Sequence, residues 1–494
     1  MNKLFTRISH VLSANHITTS FCYYSLSQAI TAIVGFIILS VYTKLLEPSE
    51  FGKVSIIWVF INIVSILIDG RLNTAFSIKY YKSSREENVT NIYSIFLYNL
   101  IVYSIFFFVF LSFPWLFESL LGIKIIKSEI YVIFLLILVM IFGNFYTNFL
   151  MISRKPKSFF IVLLVFNAVL IISSLVYLFT FSAGYISYLK AYTISYLILS
   201  LLGLRFFIST YKPRRKMISC SNLKKLLNIG LPLVPDALLL MLLVWADRYV
   251  LNLYSGLTIV GIYSAGYRFS EIINNFVLTP FGQAMSPTLF EQYTKSIVEY
   301  KRIMGQILKY YWLVILSITI VYFVFLKEVY MLFIGGEYLE GYNIIGIVLL
   351  GIIIGGAANL LSATLIMKEK TKYVFLFTSI SVFLNIGLNF IIVPTYGMYG
   401  ASIATLLSYI LQFILIFYYT QKLVYIKYDY SFIFKSTFCS LFFLILVILV
   451  SYLNINSLIR IGLKATLFLL FIMTTYSFKD LRYIWKRVLN YVSA

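Results

Sequence analysis

The segment YTKLLEPSEFGKVSI (residues 42–56) separates two apolar runs, near 20–45 and 51–76. A helix crossing the hydrocarbon core of a bilayer needs about 20 apolar residues at 1.5 Å per residue, and each run meets that length. The polar break between them is short and holds a proline and a glycine, so it reads as a tight turn between antiparallel helices. Working outward, further runs of helix length fall near 91–117, 130–152, 158–181, 184–208, 226–254, 257–290, 308–326, 340–367, 373–394, 397–420, 433–453 and 457–477. None shows the sustained period-2 alternation of a membrane β-barrel. The expected fold class is an all-α integral membrane protein with about 14 transmembrane helices.

Composition agrees. Hydrophobic residues make up 61% of the chain and charged residues 12%, with a mean hydropathy of +0.93. A soluble domain carries about 25% charged residues. The three cysteines (Cys22, Cys220, Cys439) form no CxxC, which gives no disulfide framework or zinc site. The two histidines, His10 and His16, precede the first run, which excludes a histidine-based triad or a multi-histidine metal site within the membrane. No GxxxxGK[ST] is present, and the connections on one side reach only about a dozen residues. The chain therefore reads as a non-enzyme without a cofactor. No small-residue cleavage site follows the first run, so no cleaved signal is expected.

The net charge of +22 raises the question of nucleic acid. The basic residues, however, are scattered in short clusters between apolar runs, so no nucleic-acid partner is expected. Sorted by connection, 28 of the 40 Lys and Arg fall at the N-terminus and every second connection. Seven fall on the alternate side: Lys44, Lys53, Lys124, Lys127, Lys327, Arg460 and Lys464. The positive-inside rule then places both termini on the cytoplasmic side.

Two phrases recur in order. EPSEFGKVS (47–55) and GLTIVGIYS (256–264) share apolar-Gly-x-x-Ser at an offset of 209 residues, and GNFYTNFLMISRKPK (143–157) pairs with ANLLSATLIMKEKTK (358–372) at 215. FSAGYISYL (181–189) and PTYGMYGAS (394–402) share a short glycine-containing outer turn. The repeat divides the chain into an interfacial segment 1–19, an N-lobe 20–208 (spans 1–6), a basic linker 209–225, a C-lobe 226–420 (spans 7–12), two extra spans 421–477 and a basic tail 478–494. An even number of spans per copy gives both copies the same orientation, with sites expected between them.

YTKLLEPSEFGKVSI, ADRYVLNLYSGLTIVGIYSAGYRFSEII and NIGLNFIIVPTYGMYGASIATLLSYI resemble the polysaccharide-transporter branch of the multidrug/oligosaccharidyl-lipid/polysaccharide exporter superfamily, and within it the Wzx-type O-antigen or capsule repeat-unit flippases. The resemblance implies two pseudo-symmetric six-helix lobes in a V around a cationic cavity. It implies passage of an undecaprenyl-pyrophosphate-linked glycan between leaflets, with its lipid tail in the bilayer. It also implies a monomer, surrounded by membrane lipids, that serves a polysaccharide polymerase and a chain-length regulator. Two rivals stand beside it: a multidrug antiporter of the same superfamily, and a membrane-embedded polysaccharide polymerase or ligase.

Ionisable residues inside the membrane cost about 2.5–3.5 kcal/mol each and face a cavity or a partner. In LLVWADRYVLNL (242–253), Arg248 lies eight residues from Gly256, a depth of about 12 Å. One reading makes Arg248 a pyrophosphate or sugar ligand that Asp247 holds, or beside which Asp247 couples to an ion. The other is a structural ion pair with a neighbouring helix, adjacent residues diverging by about 100°. Arg268 and Glu271 share a face of the eighth span, either neutralising each other or opening to a phosphate; Tyr263 and Tyr267 either stack on sugars or pack. Asp236 follows Pro232 and Pro235, which bend or break span seven, and serves as a cap or as a site for H+ or Na+ coupling. Asp69 and Arg71 end span two, Asp69 as a candidate for ion coupling and Arg71 receiving substrate or snorkelling, and Lys190 enters span six from outside, lining the cavity or snorkelling.

Overall fold

A computed structural model describes residues 2–180, 184–211, 218–279, 281–282, 285, 289, 292–293, 295–453 and 456–475. The expected basic tail and the middle of the basic linker lie outside these. Helices α1 (Asn2–Leu45), α2 (Pro48–Asp69), α3 (Leu72–Lys79), α4 (Arg85–Ser112), α5 (Trp115–Leu121), α6 (Lys127–Ile152), α7 (Pro156–Thr180), α8 (Tyr185–Thr210), α9 (Cys220–Gly230) and α10 (Val234–Ile273) fill the first half. Then come α11 (Ile297–Phe333), α12 (Ile345–Met367), α13 (Thr371–Leu423), α14 (Tyr430–Ser451) and α15 (Ser457–Thr475). The described residues contain no strand, and the all-α membrane fold class holds.

Among the described residues, eleven stretches are long and apolar enough to cross a membrane. Two of these are double. Cys220–Leu278 (59 residues) and Thr371–Leu423 (53 residues) each bend back at one glycine, Gly256 (φ 77°) and Gly397 (φ 51°). Both glycines adopt the left-handed region, where a Cβ would be strained, so a helical hairpin closes without a loop. Counting each double stretch twice and adding the 19-residue α15, the described residues make fourteen passes.

Compactness divides the chain into two units, residues 1–268 with 378–405, and 269–377 with 406–494. In the first unit, small residues let helices approach closely. A Cβ on Gly203 of α8 would fall 2.9 Å from the Tyr146 side chain of α6, and one on Gly230 would fall 2.5 Å from the Gly70 carbonyl. Buried polar side chains are tied across helices: Asn167 donates to Thr31 at 2.9 Å, and Ser200 donates to the Val139 carbonyl at 2.6 Å. Without water to hydrogen-bond them, such groups hold helix register.

In the second unit α11 packs against α12, α14 and α15. The Tyr311 hydroxyl donates to the Ile353 carbonyl at 2.6 Å, and Tyr300 bonds Thr364 at 2.6 Å. Asp429 begins α14: it accepts from the Phe432 N–H at 3.1 Å and from Lys309 Nζ at 3.2 Å. That N–H bond, helped by the lysine, holds its carboxyl below the usual range.

Span seven bends rather than breaks. A 3-10 turn, Leu231–Leu233, carries Pro232, and the backbone stays right-handed from Gly230 (φ −74°) through Val234 (φ −63°). Asp236 therefore lies in the first turn of α10, not at a free helix start.

Candidate functional site

Arg248, like its neighbour Asp247, is 1% exposed. Its Nη1 donates to Asp247 Oδ1 at 2.8 Å and to the Val244 carbonyl, one turn back, at 2.8 Å. The expected divergence of adjacent residues is overcome by the long arginine stem, which folds the guanidinium back toward its own helix. The guanidinium lies 4.3 Å from the Trp245 ring centre and 4.4 Å from that of Tyr267, with Tyr263 at 5.4 Å. The Tyr263 hydroxyl donates to Asp247 Oδ2. Tyr263 and Tyr267, placed on one face by i, i+4 spacing, thus enclose the ion pair from the far arm of the hairpin.

A buried polar chain lies on the second hairpin: Asn385 donates to Thr405 at 3.4 Å, and Asn389 donates to Asn385 Oδ1 at 3.1 Å. Thr405, Asn385 and Asn389 are all 0% exposed. Cation–π contacts reach about 2 kcal/mol when desolvated, and the pair is otherwise costly to bury, so each partner depends on the others.

Arg268 sits elsewhere, half-buried. Its Nη2 lies 3.5 Å from the Tyr188 hydroxyl of α8, and its guanidinium is 5.8 Å from the Phe51 ring centre. Behind it stands an aromatic wall. Tyr188 and Tyr192 are 4.7 Å apart, Trp58 of α2 lies 4.9 Å from Tyr192, and Tyr42 of α1 lies 4.9 Å from Tyr188. Sequence reasoning missed this wall. The signal was present: Tyr185, Tyr188, Tyr192 and Tyr196 recur at helical spacing along one face of span six. Glu271 follows Arg268 by three residues on the same helix face.

The other expected residues are dispersed. Lys190 faces α7, its Nζ 5.8 Å from the Tyr177 ring centre. Arg71 (φ 56°) and Gly70 (φ 54°) form a left-handed break between α2 and α3, and Asp69 accepts from the Asn73 N–H at 3.4 Å across it. Asp236 lies at the opposite end of its helix from the cage. A separate polar cleft of about 270 Å³ in the second unit, lined by Asn274, Thr279, Tyr311 and Asn359, was not anticipated. It adjoins a π-turn, Asn274–Leu278, a distortion that often marks functional positions.

The cage and the wall put guanidinium groups and stacked aromatics within helices of membrane length, a chemistry suited to anionic and sugar-bearing groups. A family model described as "Polysaccharide biosynthesis protein" matches residues 17–293, more than half of the chain. The chain belongs to this family. It is thereby a member of the flippases and transporters of the multidrug/oligosaccharidyl-lipid/polysaccharide superfamily. No curated protein sequence matches the chain. Among solved structures it is similar to "Lipid II flippase MurJ, inward closed conformation", with a TM-score of 0.74, 17% identity, and 92% of this chain and 98% of that one covered. It is also similar to an inward-facing multidrug resistance MATE family transporter, with a TM-score of 0.66 at 13% identity, covering 80% of this chain and 94% of that one. At these identities the likeness establishes the shared fold.

Proposed function

We propose that this member of the polysaccharide biosynthesis family is a flippase for undecaprenyl-pyrophosphate-linked repeat units of O-antigen or another surface polysaccharide. The observation that carries the reading is Arg268 beside the wall of Tyr188, Tyr192 and Trp58. A guanidinium matches a phosphate geometrically, and aromatic faces accept sugar rings. Arg248 is the second cation; its internal partner Asp247 keeps it neutral until an anionic head group competes for it. The head group crosses a wet path between the repeat-related lobes, 20–208 and 226–420, while the polyprenyl tail remains in lipid. Asp236, Asp247, Glu271 and Asp69 are the carboxylates available for coupling to H+ or Na+, and Arg71 and Lys190 serve entry and exit. Both termini are cytoplasmic, as the alternation of basic residues indicates. The protein acts as a monomer that hands its cargo to a polymerase and a chain-length regulator.

Inside-out vesicles containing the protein test this. A labelled undecaprenyl-pyrophosphate glycan should become inaccessible from the cytoplasmic face without change of mass. Transport of a cationic drug in its place would point to the multidrug antiporters, and a product of altered mass would point to a polymerase or ligase.

A further inference from the structure

Three of the seven basic residues on the sparsely charged side converge in the second unit. Lys464 of α15, 0% exposed, places Nζ 3.1 and 3.2 Å from the two carboxylate oxygens of Glu328 and donates to the Val324 carbonyl at 3.1 Å. Arg460 Nε donates to the same carboxylate at 3.1 Å. Lys327, adjacent to Glu328, donates from Nζ to the carbonyl of Ser451 at 2.7 Å and lies 5.2 Å from the Tyr452 ring centre.

Every element of this cluster sits at a helix end. Lys327 and Glu328 precede the C-terminus of α11 at Phe333, Ser451 ends α14, and Arg460 lies in the first turn of α15. Lys464 is seven residues into α15, about 10 Å from its start. Three cations meet one carboxylate and the C-terminal pole of α14, which supplies only about half a negative charge. Cations are scarce on this side of the chain, so their concentration at one point is not background. Buried ion pairs are also a poor source of stability, and a surplus of positive charge at this depth is poorer still. What balances it is an anion of the interface.

We propose that Lys327 and Arg460 bind the phosphate of a membrane lipid, with Glu328 and the buried Lys464 holding them in register. The arginine fork and the Lys327 ammonium suit a phosphate ester. On the orientation given under Proposed function, on which this part alone rests, the site faces the outer leaflet. The phosphate then belongs either to a bulk phospholipid or to the polyprenyl carrier.

Native mass spectrometry of the full-length protein tests the site. The probes are dioleoyl phosphatidylglycerol and undecaprenyl phosphate, with dioleoylglycerol as the control without phosphate. K327Q/R460Q should lower retention of both phosphate lipids by about tenfold relative to wild type, as expected for two lost charge-assisted contacts, and leave dioleoylglycerol unchanged. E328Q should raise retention. Stronger retention of undecaprenyl phosphate assigns the site to the carrier, and equal retention assigns it to bulk phospholipid. Unchanged retention in a folded K327Q/R460Q overturns the proposal and returns the cluster to a helix clasp. If the double variant does not fold, R460Q alone, at the cluster's partly exposed rim, decides in the same way. A wild type that retains lipid phosphate but moves no glycan overturns the flippase reading and not this site.

Discussion

Gly52 of α2 and Gly261 of α10 meet where their helices cross. A Cβ on Gly52 would fall 2.0 Å from the Leu257 carbonyl oxygen, and one on Gly261 would fall 1.9 Å from that of Pro48. Leu257 follows Pro48, and Gly261 follows Gly52, by the same 209 residues. The contact is therefore reciprocal, each glycine resting on the partner carbonyl four residues before the other.

Reciprocity makes a quantitative prediction. Gly52→Ala and Gly261→Ala should each destabilise the purified protein by about 1–3 kcal/mol, the usual range for overpacking. Because both relieve the same crossing by separating the helices, the double variant should cost less than the sum of the singles. Denaturant unfolding of the four proteins checks this. One costly and one silent substitution would show that the crossing is not symmetric.

The Arg248 cage predicts opposite signs for single and double changes. Arg248→Ala leaves Asp247 buried and uncompensated, and Asp247→Ala leaves the arginine so; each should cost about 3–5 kcal/mol. Replacing both with leucine should restore most of the melting temperature. Tyr263→Phe should cost about 1.5–3 kcal/mol, the range for a bond to a charged group. A double replacement worse than either single would mean that the pair contributes net stability.

Arg268 is expected to behave differently, since it is only half-buried beside Tyr188. Arg268→Gln should leave the melting temperature near wild type and reduce glycan transport about tenfold or more, through loss of a charge-assisted contact. Tyr192→Ala should reduce transport as well, and Arg268→Lys should recover part of it. Surface polysaccharide at normal protein level is the readout, and unchanged polysaccharide in all three would remove this wall from the substrate path.

Asp429 supplies a pH prediction. Its carboxyl is held below the ordinary value by the Phe432 N–H and Lys309, so its contribution is present above the unfolded pKa of about 3.9 and is lost as pH falls through the folded one. Asp429→Ala should cost about 0.5–2 kcal/mol, the usual value of an N-cap. The difference from wild type should be full at pH 7 and vanish in strong acid. Melting temperatures from pH 7 to pH 3 measure it.

What was readable in the sequence follows from which physics is local. Apolar length and the alternation of basic residues gave fourteen passes, because a helix must span a fixed thickness regardless of its neighbours. The shared phrase around Gly52 and Gly261 was legible, but the contact between the two glycines needs both helices in place. Asp247 and Arg248 were read as diverging because backbone geometry alone was considered; the arginine side chain reaches back to Val244, which periodicity does not encode. The convergence of Lys327, Arg460 and Lys464 was invisible, since 132 residues separate Glu328 from Arg460. The aromatic stripe of α8 was visible and passed over, its partners Trp58 and Tyr42 being distant in sequence.

The turn at Gly256 also bears on how the chain enters the bilayer. The Val244 carbonyl, Asp247, Trp245, Tyr263 and Tyr267 around Arg248 belong to one hairpin, and the bond from Tyr263 to Asp247 spans only 16 residues. The two charges find their partners as soon as this pair of spans has been synthesised, before any later span exists. Insertion of the hairpin as a unit thus spares the translocon from releasing a bare guanidinium into lipid, and a loop lengthened at Gly256 would delay that neutralisation during biogenesis even if the finished protein tolerated it.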